Sequence, residues 1–338
     1  MEKLKCAVIG LGRISVMHLN AITRSLDAEL VAVCDIDKEK LNTAVQKYGV
    51  NGYLDYEEML NNEKLDVVHI CLPHYLHVPV SLAAFSHKVN VLCEKPMSIS
   101  YADAVTAVEA AEKANLRYGI IFQCRFNDSS VLVKNAVTSG KLGKILSASS
   151  FLTWSRSDDY YSHSDWKGTW DKEGGGVVID QAIHSIDLIN WLVDSPVKSV
   201  QSSMFNRHHK KVVVEDTAEG LIEYENGVLY SFYCMNNFAA DEPIRLEILC
   251  ENGKAVFNYD EATITYNNGS VEHVINDGKD EKVAGGKDYW GLRHYAEVQQ
   301  FYNAVLNREQ LKVSGTEALK TQKLICEIYN KGKKYLSD

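Results

Sequence analysis

Leu4-Lys-Cys-Ala-Val-Ile-Gly-Leu-Gly-Arg-Ile-Ser15, followed at the end of the next apolar run by Asp35, decides the reading of this chain. The apolar residues up to Ile9 predict a buried strand. Gly10 and Gly12 let the backbone turn sharply and approach a phosphate. The helix expected from Arg13 and Ile14 onward offers free N–H groups and the positive end of its dipole. Ser15 stands where a third glycine is usual, and it is small enough for close helix–strand contact. Residues 30–34 read as the second strand, and the Asp35 carboxylate beyond it can accept both hydroxyls of an adenosine ribose. A 2′-phosphate there would meet like charge, with Asp37 adding to the penalty and Arg13 the one group able to offset it. The cofactor expected is therefore NAD rather than NADP. A glycine turn alone fits any strand–turn–helix; strand, helix and ribose acid in register specify a dinucleotide-binding unit.

The texture around this segment predicts two domains, since 338 residues exceed one ordinary core. Strands at 66–72, 89–93 and 117–122 alternate with helices at 38–48, 78–85 and 101–114, giving a Rossmann-type, doubly wound parallel sheet over residues 1–124. Residues 125–338 change character. A helix at 129–137 leads into strands at 145–154, 197–205, 218–224, 228–235, 244–250, 255–259 and 262–266. Asn226-Gly227 and Asn252-Gly253 are hairpin signals among them. With helices at 174–191, 289–307 and 314–330, this is an α+β domain on a large, mostly antiparallel sheet. Little sequence is left to cover the second face of that sheet, so a homo-oligomer is expected, dimeric or tetrameric.

Composition removes several function classes. The formal charge is −9, and no block of basic residues is interleaved with aromatics, which argues against a nucleic-acid surface. His208-His209-Lys210-Lys211 is the strongest basic patch and reads as a solvated turn. No apolar stretch reaches the length of a membrane span, and no basic leader precedes the first strand, so a soluble, cytoplasmic protein is expected. The eight cysteines occur singly, without metal-ligand spacing, and five lie in or beside predicted strands, as buried thiols in a reducing compartment do.

The candidate chemistry lies at strand ends. Glu94-Lys95-Pro96 follows the strand at 89–93 on the ligand-facing rim, where a lysine can bond a substrate hydroxyl and stabilise an alkoxide as hydride leaves. By itself Lys95 is equally an ordinary surface lysine. Downstream, Glu173-Gly-Gly-Gly-Val-Val-Ile-Asp180-Gln-Ala-Ile-His184-Ser-Ile-Asp187 places Asp180 and His184 four apart on one helix face behind three glycines. His184 then accepts a proton and Asp180 orients it or touches the same hydroxyl; a buried histidine tied to a neighbour is the plainer alternative. Asp187 reads as an ordinary helix acid or a second orienting carboxylate. A metal held by these groups lacks further ligands, and none is expected. Between strand and glycine run, residues 154–170 mix aromatics with Arg156, Tyr160, His163, Lys167 and Trp170, as a sugar-binding cleft wall does. Arg156 and Lys167 leave room there for an acidic substituent.

Gly10/Gly12, Glu94-Lys95-Pro96 and the Gly-Gly-Gly…Asp180…His184 helix together resemble the glucose-fructose oxidoreductase, inositol dehydrogenase and MocA family over nearly the whole chain. The resemblance implies an NAD(P)-dependent dehydrogenase in which Lys95, Asp180 and His184 form the catalytic set and His184 is the base. Hydride passes between a carbohydrate, polyol or nucleotide-sugar CH–OH group and the nicotinamide. It further implies that Pro73, His74 and His77 lie against the cofactor with Glu94 and Lys95, and that Arg125 contacts cofactor or substrate. His77 as a space-filling residue at a helix start, and Arg125 in an interdomain ion pair, are the alternatives. A catalytically silent NAD(H)-binding regulator or sensor of the same fold is the competing function; it would be expected to lack Lys95 or the Asp180/His184 pair.

Overall fold

The computed structural model describes residues 2–162, 164–258, 261–275 and 293–336. In chain order the strands and helices of the first half are β1 (Leu4–Ile9), α1 (Ser15–Arg24), β2 (Ala28–Cys34), α2 (Lys38–Tyr48), β3 (Asn51–Tyr53), α3 (Tyr56–Asn62), β4 (Val67–Ile70), α4 (His77–Ser86), β5 (Asn90–Cys93), α5 (Tyr101–Ala114) and β6 (Tyr118–Ile120). The six strands pair in the order β3-β2-β1-β4-β5-β6, every pair parallel. The strand order reverses between β1 and β4, the place where such sheets hold ligands beyond their carboxyl ends. β1, β4 and β5 are buried almost throughout because helices cover both faces, which is why they read as unbroken apolar runs. Local chemistry sets the helix ends: Asp37 caps α2 through the Glu39 and Lys40 amides, and Gly49 closes it in the left-handed conformation.

The second half contributes α6 (Asp128–Thr138), β7 (Ile145–Thr153), α7 (Asp158–Ser162), α8 (Ile183–Val193), β8 (Val197–Phe205), β9 (Thr217–Tyr224), β10 (Leu229–Met235), β11 (Arg245–Cys250), β12 (Gly253–Asn258), β13 (Glu261–Tyr266), β14 (Val271–Ile275), α9 (His294–Val305), α10 (Gly315–Lys331) and β15 (Lys333–Tyr335). Its nine strands form one sheet, β14-β13-β12-β11-β7-β10-β9-β8-β15. All pairings are antiparallel except β7 with β10 and β8 with β15. α6 packs on β13 and β14, and α8 on β7. The opposite face is open: Phe151, Leu221, Leu229 and Leu249 are 40–51% exposed.

The chain divides into two compact units, residues 1–123 with 278–319, and residues 124–277 with 320–338. The return of a C-terminal stretch to the first unit corrects the expectation that everything after 124 belongs to the second. The cause is apolar: Val298, Phe301 and Tyr302 of α9 join Leu19, Ile22, Leu92 and Ile121 in the first unit's core. Short β3, β14 and β15 and helix α3 carry too little periodicity to be expected from sequence. The helix expected over 174–191 begins later, because Gly174 and Gly175 have φ of 86° and 150°. The helix expected from 289 has its start outside the described residues, and α9 begins at His294.

Candidate functional site: a dinucleotide cradle and a polar cleft

The first unit presents a backbone cradle after β1. Gly10, at φ 93°, donates its N–H to the Cys34 carbonyl oxygen at 2.8 Å, and a Cβ there would stand 2.5 Å from the Cys71 carbonyl oxygen. Only glycine fits that turn. Gly12 differs, since a Cβ on it would meet nothing within 4 Å, so its backbone faces open space. Arg13 is exposed beside it. Ile14 occupies the N-cap of α1 and has no side-chain oxygen, so the first amides of that helix have no side-chain cap. Ser15 turns inward, its Oγ donating to the Gly12 carbonyl oxygen at 2.7 Å.

Asp35 is pinned at the tip of β2 by two backbone donors, Leu11 N at 2.6 Å and Asp37 N at 2.8 Å, one on each carboxylate oxygen. Each oxygen keeps a second acceptor position, enough for a ribose diol. Open backbone at Gly12, uncapped helix amides and an anchored, half-buried carboxylate fit the phosphates and adenosine ribose of a dinucleotide. Asp37 is committed elsewhere, to the cap of α2 and an ion pair with Lys40 at 3.2 Å.

The segments after β4 and β5 complete the rim of this unit. Pro73 opens a single tight turn, residues 74–76, in which His74 is buried. His77 is wholly enclosed, Nδ1 lying 2.6 Å from the Pro96 carbonyl oxygen and Nε2 2.8 Å from that of Leu72. Burial holds its pKa below the usual histidine value. It staples the turn after β5 to the turn after β4, as the alternative of a space-filling histidine at a helix start describes. Glu94 is likewise turned inward. Its Oε1 meets His18 Nε2 at 3.0 Å and His294 Nε2 at 3.3 Å, and its Oε2 accepts the Lys95 amide at 3.2 Å. Of the Glu94-Lys95 pair, only Lys95 is half-buried rather than enclosed.

In the second unit the glycine run is compressed between two neighbours. A Cβ on Gly175 would sit 2.1 Å from the Tyr329 hydroxyl, and one on Gly176 would sit 1.9 Å from the Glu215 carbonyl oxygen. The Glu215 carboxyl accepts the amides of Gly176 at 2.9 Å and Val178 at 3.0 Å and the Tyr329 hydroxyl at 2.7 Å. Burial pushes its pKa up to about 7 against those donors. The chain then runs through a wide π-type turn, Val178–Ala182, before α8, a local widening that recurs at functional sites. Asp180 sits in this turn, and its Oδ2 gathers Tyr160 Oη at 2.8 Å, Lys167 Nζ at 3.2 Å and Gln181 Nε2 at 2.6 Å. Lys167 also reaches the Tyr160 hydroxyl at 2.5 Å and Glu173 at 3.8 Å. Burial, then the nearby Asp180 charge, raises the Glu173 carboxyl to about 8. His184 follows on α8 and is buried.

The remaining expected site residues separate. Arg156 pairs with Asp241 at 3.1 Å and lies 4.9 Å over the Trp154 ring. Trp170 is anchored by its indole N–H on the Val213 carbonyl oxygen, edge-on to Tyr329. His163 lies outside the described residues. Arg125 forms a two-pronged, buried ion pair with Asp187, both contacts 2.7 Å, and Thr321 donates to the same carboxylate. Arg125 thus takes the ion-pair alternative, within the second unit, and Asp187 is its buried counter-charge. Among the described residues no group of three or more His, Cys, Asp or Glu could hold a metal.

Residues 4–122 match an oxidoreductase family with an NAD-binding Rossmann fold, and residues 131–256 match the Gfo/Idh/MocA C-terminal domain. The chain belongs to the Gfo/Idh/MocA oxidoreductase family. Within that family it is similar to the inositol 2-dehydrogenase of Salmonella typhimurium, at 28% identity over 229 residues, 64% of this chain and 65% of that protein. The match therefore spans just under two thirds of that relative's length. The D-glucoside 3-dehydrogenase of Escherichia coli is 26% identical, with 96% of this chain and 94% of that protein aligned. The solved WlbA dehydrogenase of Bordetella pertussis, in complex with NADH and UDP-GlcNAcA, superposes with a TM-score of 0.84 at 25% identity, covering 98% of this chain and 96% of that one.

Proposed function

We propose that this Gfo/Idh/MocA protein is an NAD-dependent dehydrogenase that moves hydride between the CH–OH group of an uncharged sugar or polyol and the nicotinamide. The observation that carries the reading is Asp180, held behind the triple glycine and bonded to Tyr160 and Lys167, in a chain whose other unit offers the Gly12 and Asp35 cradle. Bound NAD supplies the hydride acceptor. The protein's groups handle the proton and the charge: His184 takes the hydroxyl proton, Asp180 holds the hydroxyl, and Lys95 stabilises the oxyanion as the C–H bond breaks. Oxidation of one CH–OH gives one carbonyl, one NADH and one proton, and the same groups serve the reverse reduction.

The preference for an uncharged substrate follows from charge matching. Arg156 is paired with Asp241, Lys167 with Asp180, and Arg125 with Asp187. An anionic substituent drawn to any of these three cations would compete with the carboxylate already bound to it. Asp35, whose two oxygens already order the Leu11 and Asp37 amides, favours NAD over NADP. Phe151, Leu221, Leu229 and Leu249 on the open face of the large sheet support a homodimer or homotetramer through that face. Seven of the eight cysteines are buried thiols, which supports a cytoplasmic location. No helix among the described residues is long and apolar enough to cross a membrane.

The test is NADH formation across inositols, neutral glycosides, uronates and nucleotide sugars, with NADP and a Lys95→Ala variant alongside. Lysine-dependent turnover of neutral substrates is expected. Tight NAD binding without turnover of any class would instead favour the regulator.

A further inference from the structure

Beneath the functional rim of the first unit, four side chains from four distant parts of the sequence are joined in a line. Tyr302 Oη lies 2.8 Å from His69 Nε2, His69 Nδ1 lies 2.8 Å from His18 Nδ1, and His18 Nε2 lies 3.0 Å from Glu94 Oε1. Cys6 Sγ approaches the Tyr302 hydroxyl at 3.6 Å at the far end. Tyr302, His69 and His18 have no measurable exposure, and Glu94 has 5%. None of the three expected roles for this rim, phosphate, ribose or substrate binding, accounts for two histidines meeting nitrogen to nitrogen in a core.

The donors and acceptors of this line permit one arrangement when only Glu94 is charged. A carboxylate accepts and cannot donate, so His18 carries its proton on Nε2 and leaves Nδ1 bare. His69 must then donate from Nδ1, which leaves its Nε2 bare and makes Tyr302 the donor there. The Cys6 thiol donates to the Tyr302 oxygen. Every polar atom is satisfied, and the direction of the whole line is fixed by the charge at one end. The groups facing the line agree with this state. Burial keeps His69 neutral and the Tyr302 phenol protonated, and hydrogen bonds from His18 and His294 outweigh burial to keep Glu94 ionised. The other oxygen of that carboxylate accepts the backbone N–H of Lys95.

We infer that Tyr302, His69 and His18 form a directional hydrogen-bond chain that fixes Glu94 as the acceptor for the Lys95 amide, making them positioning residues for Lys95. This rests on the reading of Lys95 as the group that stabilises the oxyanion. Removing the Tyr302 hydroxyl leaves His69 free to place its proton on Nε2. His69 and His18 would then face each other with two bare nitrogens unless the His18 proton also moves away from Glu94. The loss is therefore felt four residues down the line, at the Lys95 amide.

The experiment uses the full-length protein with ¹⁵N-labelled histidine and uniformly labelled backbone. In the wild type, long-range ¹H–¹⁵N correlations should show His69 as the neutral Nδ1–H tautomer and His18 with its proton on Nε2. Tyr302→Phe should lower the exchange protection of the Lys95 amide on the order of ten-fold, the equivalent of one net hydrogen bond. His69→Leu should do the same, whereas His69→Asn, whose amide N–H₂ stands near the Nδ1 position, should restore most of it. On a turned-over substrate, kcat should fall in the same order and KM should hold. An Nε2–H or imidazolium His69 in the wild type would overturn the inference. So would a Lys95 amide that does not respond to Tyr302→Phe, or an asparagine variant no better than the leucine one. A wild type silent on every substrate would defeat the dehydrogenase reading, while the histidine and Lys95 resonances would still decide the chain.

Discussion

Glu94 and Glu215 are both enclosed, yet the two units move their pKa values in opposite directions. In the first unit, burial drives the Glu94 carboxyl up, and His18 and His294 outweigh it and hold Glu94 well below the usual carboxylate range. In the second, Glu215 receives two amides and a phenol, all neutral donors, and burial still lifts it to about 7, while Glu173 beside the Asp180 charge rises to about 8. Burial alone does not set the charge of a core carboxyl; the donors that converge on it decide how far burial is offset. A second contrast separates the cradle of the first unit from the cleft of the second. The cradle of the first unit is made of backbone, fixed by where a Cβ cannot go. The cleft of the second is made of side chains that neutralise one another.

The largest expected effect would separate chemistry from cofactor binding. Lys95→Ala and Asp180→Asn should each lower kcat by about 10²–10³-fold, while NAD affinity, measured by titration of NADH fluorescence, holds for Asp180→Asn. Equal loss of turnover and NAD affinity in Asp180→Asn would erase the division between the halves.

Two glycines sharpen it next. Gly176→Ala forces a methyl to 1.9 Å from the Glu215 carbonyl oxygen and should cost about 3 kcal/mol in denaturant unfolding, as overpacking against a rigid neighbour does. Gly12→Ala has open space and should leave unfolding unchanged while weakening NAD binding about ten-fold, the cost of about one lost hydrogen bond to a charged group. If the two variants exchanged these phenotypes, the cradle would be mislocated. Asp35→Ala should weaken NAD by a similar factor and narrow the preference over NADP, which competitive binding of the two cofactors would measure.

The smallest effect is in pH. A carboxyl whose pKa rises on folding binds more protons in the native state than in the unfolded one between the two values. Glu215 and Glu173 therefore favour the folded state most below pH 4.5, and that contribution is lost as pH climbs to about 7 and about 8. Glu94, lowered on folding, contributes above pH 4.5 and loses its contribution as pH falls below it. Glu215→Gln should flatten unfolding free energy on the neutral side, and Glu94→Gln should flatten it on the acid side. Identical pH profiles for the two variants would remove the contrast.

Sequence made the cradle legible because its requirements are local. Gly10, Gly12, Ser15 and Asp35 lie within one strand–turn–helix–strand unit, and each reports a steric or charge demand of its own position. The parallel sheet and the large second sheet were legible for the same reason, through apolar runs and hairpin glycines. The partners were not. Nothing near Asp180 in sequence announces Tyr160, twenty residues away, as its donor, and Glu215 pins the glycine run from the segment before β9 without any motif. His18, His69 and Tyr302 read as isolated polar residues in apolar helices and strands, and only the folded chain aligns them. His77, Glu94 and Arg125 show the converse limit. Their residue types and places suggested ligand contacts, but the carbonyls, histidines and Asp187 that occupy them come from elsewhere in the chain.

The account is tested most directly by steady-state NADH formation with neutral polyols and glycosides set against their uronate counterparts, comparing wild type with Lys95→Ala. It predicts turnover of at least one neutral CH–OH substrate with NAD, a strong preference over the matching uronate, and a fall of about 10²–10³-fold in kcat without the lysine. Turnover that survives Lys95→Ala, or a preference for the acidic member of each pair, would contradict it.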